Sequence, residues 1–335
     1  MVPTVKAATI SNVTFVRPAK FYFSGYSNIP HITYFLIFMC FVYIMTVVGN
    51  VFLMSVIYLV RTLHTPKYMI VFNLALADLC GSSASIPKVL DAFLFDRSEI
   101  VYEDCLSSMF FFYFFTDVQS WILVIMAYDR FIAICFPLRY HSIVTKPAIA
   151  AMLLLVWVVL MSISACIVGL FDRHSFCGSL VIQYFMCGMG SMFDLACGDT
   201  SLISNIAFVS FVLNPILPPI LIALTYICIA IALSRVASPK ERLKAAKTCT
   251  SHLILVAVYF IPLWYINLAY WDDRDADIIL KILPDIPPLL NPILYSLKTQ
   301  EVLNCIKRLC NNMLSNITMS KKVFTAMLTN WKLLK

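Results

Sequence analysis

Residues 110–136 read FFFYFFTDVQSWILVIMAYDRFIAICF. The stretch is apolar almost throughout, and its formal charges are Asp117, Asp129 and Arg130. Charge is costly in a protein core and costlier in lipid, so an acid beside a base in such a run needs a reason. The run is long enough, as a helix, to cross the ~30 Å hydrocarbon layer of a bilayer.

The whole chain shares this character. Of its 335 residues, 61% are hydrophobic, 14% aromatic and only 13% charged. A soluble protein of that length needs more charge to cover its surface. Seven segments are long and apolar enough to span a bilayer: 31–60, 68–90, 106–136, 148–170, 202–234, 248–271 and 279–297. Pro284, Pro287, Pro288 and Pro292 interrupt the last. Inside a bundle, neighbouring helices and water satisfy the carbonyls that proline frees. The expected fold is therefore an all-α membrane protein, a seven-transmembrane helix bundle. The first 30 residues carry Lys6, Arg17 and Lys20 and no continuous apolar core, so no cleavable signal peptide is visible. The first span would then act as an uncleaved signal-anchor.

Loop charge sets the orientation. Loop 61–67 carries Arg61 and Lys67, and loop 137–147 carries Arg139 and Lys146 without an acid. Loop 235–247 carries Arg235, Lys240, Arg242, Lys244 and Lys247 against Glu241, and the tail is also basic. The alternate loops are acidic, with Asp91, Asp96, Glu99, Glu103 and Asp104 in one and Asp272, Asp273, Asp275, Asp277 and Asp285 in another. Lys and Arg mark the cytoplasmic side, which puts the amino terminus outside and the tail inside. The triplet NVT at Asn12 is then a lumenal glycosylation acceptor, and NIT at Asn316 lies on the silent side. The chain divides into an extracellular segment 1–30, a seven-transmembrane domain 31–297 and a cytoplasmic amphipathic helix and tail 298–335. Apart from that triplet, the tail after Asn311 carries no interpretable motif.

Twelve cysteines are present. Cys40, Cys80, Cys135, Cys166, Cys228 and Cys249 lie within or at the ends of spans and read as buried thiols. Cys105, Cys177, Cys187 and Cys197 fall on the outer side, where oxidation is permitted, and spacing does not choose among their three pairings. Cys305 and Cys310 follow the last span inside, where palmitoylation and ordinary reduced thiols are equal readings.

Six strings narrow the class: GN (49–50), LHTPKYMIVFNLALADL (63–79), PKVL (87–90), MAYDRFIAICFPLRYHSIVT (126–145), KAAKTCTSHLILVAVYF (244–260) and PPLLNPILYSLKTQEV (287–302). In this order and spacing, from Phe21 to Val302, the chain resembles the odorant receptor branch of the rhodopsin-like G-protein-coupled receptors. CFPLRYHSIVT and LKTQEV are similar to the fish-type, or class I, members. The resemblance implies the bridges Cys105–Cys187 and Cys177–Cys197. It implies a small odorant ligand, a heterotrimeric G protein of the olfactory stimulatory type that raises cyclic AMP, and a place in the plasma membrane of olfactory cilia. No cofactor, metal or nucleic acid is implied.

The resemblance also assigns roles. It gathers Asn50, Asp78 and Asn291 in mid-bundle around water or sodium; the plain alternative is a polar knot that holds helices together. Many odorant receptors carry a carboxylate on the third helix near there, and Gln119 stands in its place, which puts sodium in doubt. Pro292 removes a backbone N–H and permits a bend before Tyr295. Tyr295 and Tyr226 are implied to swing inward on activation. Asp129 would hold Arg130 at rest, and Arg130 would face the G protein once the sixth helix moves out. Phe131 departs from the family's tyrosine, so that hydroxyl is lost.

A ligand site belongs in the outer half of the bundle, mostly apolar with few polar groups. On the third helix Phe112 and Thr116 share one face, and Tyr113 and Asp117 an adjacent one. Family analogy adds Ser210 and Asn214 from the fifth span and Tyr259, Ile266 and Tyr270 from the sixth. Core packing is the competing reading for each aromatic. Asp117 either pairs with a cationic ligand or hydrogen-bonds a neighbouring helix.

Other classes fit less well. No Walker A string, HExxH or placed nucleophile suggests an enzyme. His31, His64, His141 and His252 flank spans and His174 lies in the outer loop, which indicates no metal site. A transporter would show internal repeats and paired broken helices, whereas this chain shows one proline-rich span and no repeat. A non-olfactory small-molecule receptor of the same fold is the nearer rival, separable by tissue of expression.

Overall fold

The computed structural model describes residues 17–23, 32–95, 99–177, 180–182, 187–235, 238–271 and 286–298. The helices are α1 (Ile32–Leu59), α2 (Pro66–Leu94), α3 (Tyr102–Cys135), α4 (Lys146–Asp172), α5 (Ser201–Ser234), α6 (Pro239–Trp271) and α7 (Ile286–Lys298). Five of them, α1 to α5, are long and apolar enough to cross a membrane. The apolar part of α6, His252–Tyr265, is shorter, and α7 has 13 described residues. Residues 279–285 of the expected seventh span lie outside the described residues.

Start signals match local chemistry. Pro66 opens α2, where a missing N–H costs nothing. The Thr145 hydroxyl accepts from the Ala148 N–H and caps α4. The Ser201 N–H donates to Asp199 Oδ1 at 2.9 Å at the start of α5, a bond that holds this carboxyl below its ordinary pKa. Two boundaries differ from the sequence reading. Helix α3 begins at Tyr102 and takes Glu103 and Asp104 into its first turn, where acids favour the helix dipole. Helix α6 begins at Pro239, so most of the basic 235–247 segment is helix and not loop. Its Lys, Arg, Glu, Leu and Ala residues are good helix formers.

Proline breaks are more widespread than one span. Pro215 lies in a π turn, Val212–Ile216, inside α5. The ring clashes with the preceding turn and supplies no N–H, and the wider turn accommodates both. The Trp264 indole on α6 donates to the Pro215 carbonyl at 2.7 Å. Pro87, Pro262 and Pro292 sit inside α2, α6 and α7.

Helix α3 is the central post, in contact with α2, α4, α5 and α6. The main core runs beside it through Leu53, Leu74, Val118, Ile122, Leu153 and Phe260. Phe41, Leu154, Leu224 and Ile227 point outward and are exposed. An apolar exterior is what a lipid-facing surface requires. Two close approaches fix the bundle. A Cβ on Gly49 would lie 2.9 Å from Pro292 Cγ, and one on Gly81 would lie 3.0 Å from Phe115 Cβ. The Trp157 indole of α4 donates to Asn73 Oδ1 of α2 at 3.1 Å.

The outer face carries small strands that the all-α reading did not include. Strand β1 (Lys20–Phe23) pairs antiparallel with β2 (Glu99–Val101) and parallel with β4 (Val181–Ile182). Strand β3 (Ser175–Phe176) pairs antiparallel with β5 (Ala196–Cys197). Phe21, Tyr102, Met109, Phe171, Phe176 and Met192 form a second core beneath them. Arg17 reaches Asp172 at 2.7 Å and lies 4.6 Å from the centre of the Tyr102 ring. The bridges Cys105–Cys187 and Cys177–Cys197 are both formed. The first ties the top of α3 to the outer loop, and the second closes the β3–β5 ribbon.

Candidate functional site: an outer cleft and an inner charge pair

The outer cleft lies between α3, α4 and α5 under the short helix Met189–Leu195. Met109, Tyr113, Asp117, Ser164, Met189 and Ser210 are among its lining residues. The Tyr113 hydroxyl accepts from the Met189 N–H at 3.2 Å, so the bridged loop is pinned to α3 at the cleft. At the floor, Asn214 Nδ2 donates to Asp117 Oδ2 at 2.8 Å and to Ser210 Oγ at 3.1 Å. The Trp121 indole donates to Asn214 Oδ1 at 3.1 Å, which fixes the amide's orientation. Asn214 belongs to the π turn of α5, so the proline that deforms this helix sits next to the residue that meets α3.

The nominated residues do not all meet there. Tyr113, Asp117 and Ser210 line the cleft, and Asn214 supports it from below. Phe112 and Thr116 are not among the lining residues. Tyr259 is buried, and its hydroxyl donates to the Thr116 carbonyl, tying α6 to α3. The side chains of Ile266 and Tyr270 lie outside the described residues. Sequence reasoning missed the α4 wall, Ser164, Ile167 and Val168. These residues repeat at helical spacing, but nothing in their own segment marks which face meets a cleft.

In mid-bundle, Asn50, Asp78, Gln119 and Asn291 are all buried. Asn291 Nδ2 donates to Asp78 Oδ2 at 2.8 Å. Asn50 Nδ2 donates to the carbonyls of Thr46 and Pro288, each at 2.9 Å. Pro292 at position 288+4 cannot use the Pro288 carbonyl, and the Asn50 amide takes it instead. Helices α1, α2 and α7 are thus joined by side-chain amides. Among the described residues, Asp78 Oδ1, Asn50 Oδ1, Thr46 Oγ1 and Ser82 Oγ have no protein partner. Gln119 lies across from Gly81, where a Cβ would be 3.6 Å from its Nε2.

At the inner end Asp129 is 2% exposed. Its shorter contact is not with Arg130. The Tyr140 hydroxyl donates to Asp129 Oδ1 at 2.7 Å, while Arg130 Nε lies 3.7 Å from Oδ2. Burial first, and the Asp129 bond second, raise the Tyr140 pKa, so this phenol stays a donor. Arg130 lies within electrostatic range of Tyr226, His252 and Cys249. The Tyr226 hydroxyl is 2.8 Å from His252 Nδ1, and the two rings stack 5.8 Å apart. His252 is 4% exposed, so it faces the bundle interior of α6 and does not merely flank the span. Phe131 packs edge-on against Phe136. The side chain of Tyr295 and the residue Asn12 lie outside the described residues. Among the described residues, no group of three or more His, Cys, Asp or Glu could hold a metal ion.

The fold is that of the rhodopsin-like G-protein-coupled receptors. The crystal structure of squid rhodopsin superposes with a TM-score of 0.69 at 16% identity, over 86% of this chain and 88% of that one. The particular family follows from sequence. The olfactory receptor family model matches residues 39–313. Olfactory receptor 1 of Rattus norvegicus is 35% identical over 270 residues, 80% of this chain and 86% of that protein. Olfactory receptor 8G17 of Mus musculus is 32% identical over 295 residues, 87% of this chain and 96% of that protein. The chain belongs to the olfactory receptor family. It is a multi-pass membrane receptor and not an enzyme.

Proposed function

We propose that the chain binds a small odorant in the outer cleft and activates a heterotrimeric G protein of the olfactory stimulatory type, raising cyclic AMP. Its place of work on this reading is the plasma membrane of olfactory cilia. The supporting observation is the hydrogen-bonded floor of the cleft, in which Trp121, Asn214, Ser210 and Asp117 link α3 to the π turn of α5. A ligand seated on that floor touches both helices, and its differential contacts shift their arrangement. The signal then leaves through α6. Tyr259 and Trp264 couple α6 to α3 and α5, and His252 couples it to Tyr226 one level further in.

At rest Asp129 is held by Tyr140 and in turn attracts Arg130. Outward movement of α6 would separate His252 from Tyr226 and open Arg130 to the G protein. Asn291, Pro292 and Tyr295 form the bend of α7 that moves with it. Asn50, Asp78 and Asn291 act as a polar knot at its base. With Gln119 neutral, Asp78 is the carboxylate that faces this knot, a donor set better suited to water than to a tightly held cation. The fish-type reading rests on CFPLRYHSIVT and LKTQEV, and a rooted tree of receptor sequences checks it.

The test is ligand-dependent cyclic AMP in cells supplied with the olfactory stimulatory G protein. A concentration-dependent rise that Arg130→Ala removes supports the reading. Ligand-driven uptake without a second messenger argues for a transporter and sinks it.

A further inference from the structure

One side chain joins the last turn of α4 to the segment that leads into α5. His174 follows the end of α4, and its backbone N–H donates to the Phe171 carbonyl at 3.0 Å. Its half-buried ring bridges two oxygens. Nδ1 lies 2.9 Å from the Leu170 carbonyl, and Nε2 lies 3.1 Å from the Asp199 carbonyl. Leu170 belongs to the final turn of α4, and Asp199 stands just before α5. The surroundings hold these ends in place. The Cys177–Cys197 bridge closes the β3–β5 ribbon, and Gly198, at φ +87°, turns the chain immediately before Asp199. The Asp199 carboxylate is itself engaged by the Ser201 N–H.

A carbonyl oxygen carries no hydrogen, so each of the two contacts needs an N–H from the ring. Neutral imidazole has one N–H in either tautomer, and imidazolium has two. The site therefore tells the charged ring from the neutral one by hydrogen-bond geometry. Imidazole exchanges that second proton near neutral pH. Among the described residues, the charged groups around the ring are Asp199, whose carboxylate it attracts, Asp172, which Arg17 engages at 2.7 Å, and the exposed Arg173. We propose that His174 is a proton-binding site of the outer loop. Its imidazolium clips Leu170 of α4 to Asp199 ahead of α5, and loss of a proton releases one of the two ends. The direction follows from the donors. In acid medium both N–H groups are present and both bonds hold. As the medium turns alkaline, one nitrogen presents a lone pair to a carbonyl oxygen, and that contact is lost. The loop lies on the outer side, so the proton is drawn from outside the cell. Helices α4 and α5 carry Ser164 and Ser210 of the outer cleft, so external acidity tightens the junction between two of its walls. The inference does not depend on which ligand the cleft takes.

The experiment uses the full chain in detergent. Its melting temperature is measured at about pH 6 and about pH 8 for the wild type and for His174→Gln, whose amide stays neutral throughout. Subtracting the variant removes the titration of His31, His64, His141 and His252. The advantage of the wild type over the variant is expected to be about 2 °C larger at the acid pH than at the alkaline one. An advantage of equal size at both pH values makes the ring a purely structural link and overturns the proposal. The absence of any difference between the two proteins overturns it as well. His174→Asn repeats the comparison with a shorter amide, so that poor folding of one variant does not decide the outcome.

Discussion

Asp129 is buried between two donors of unequal quality. The Tyr140 phenol is at 2.7 Å in good hydrogen-bond range, and the Arg130 guanidinium is at 3.7 Å. The acid is therefore anchored to the inner loop as well as to its neighbour. Tyr140→Phe leaves one carboxylate oxygen without its donor, at a cost of about 1–3 kcal/mol. Basal cyclic AMP per surface receptor is expected to rise in this variant and in Asp129→Asn, and an immunostained cell assay reads both. In the cleft, Trp121→Phe keeps the ring and removes only the N–H that orients Asn214. Ligand potency should fall by about 10-fold, the value of one hydrogen bond. Tyr140 and His252 both lie in strings that carried the family resemblance, so their presence was legible. What they bond to was not, because each partner comes from a different element.

At the scale of the element, apolar runs announced the helices, while their irregularities stayed hidden. The π turn at Pro215 needs the neighbouring Trp264 to take its carbonyl, and a one-dimensional pattern does not show a neighbour. The short strands escaped for a related reason: β1 and β2 are brief and gain their partners only across the outer face. Gly49 and Gly169 give a matched test. A side chain at Gly49 collides with Pro292, whereas a Cβ at Gly169 meets nothing within 4 Å. Gly49→Val should cost about 1–3 kcal/mol through overpacking and lower the melting temperature of detergent-solubilised receptor. Gly169→Ala should leave it unchanged or slightly higher, since Ala is the better helix former.

For the whole molecule, the orientation follows from the signs of the loops alone. That orientation has a direct consequence at Asn12, which should carry a glycan. Treatment with an N-glycosidase is expected to increase the gel mobility of the wild type and of Asn316→Gln, but not of Asn12→Gln. The outer half is held by two bridges and the β1 sheet, and the inner half by the Asp129 and His252 contacts. Helix α3 runs through both and carries Asp117 near its middle and Arg130 near its inner end. Both acids have a partner: the half-buried Asp117 meets an amide at the cleft, and the buried Asp129 a phenol at the inner interface. The most direct test of the account is cyclic AMP evoked by an active odorant in wild type and Arg130→Ala at equal surface level. The account predicts a graded response in the wild type and none in the variant. An equal response from both would contradict it.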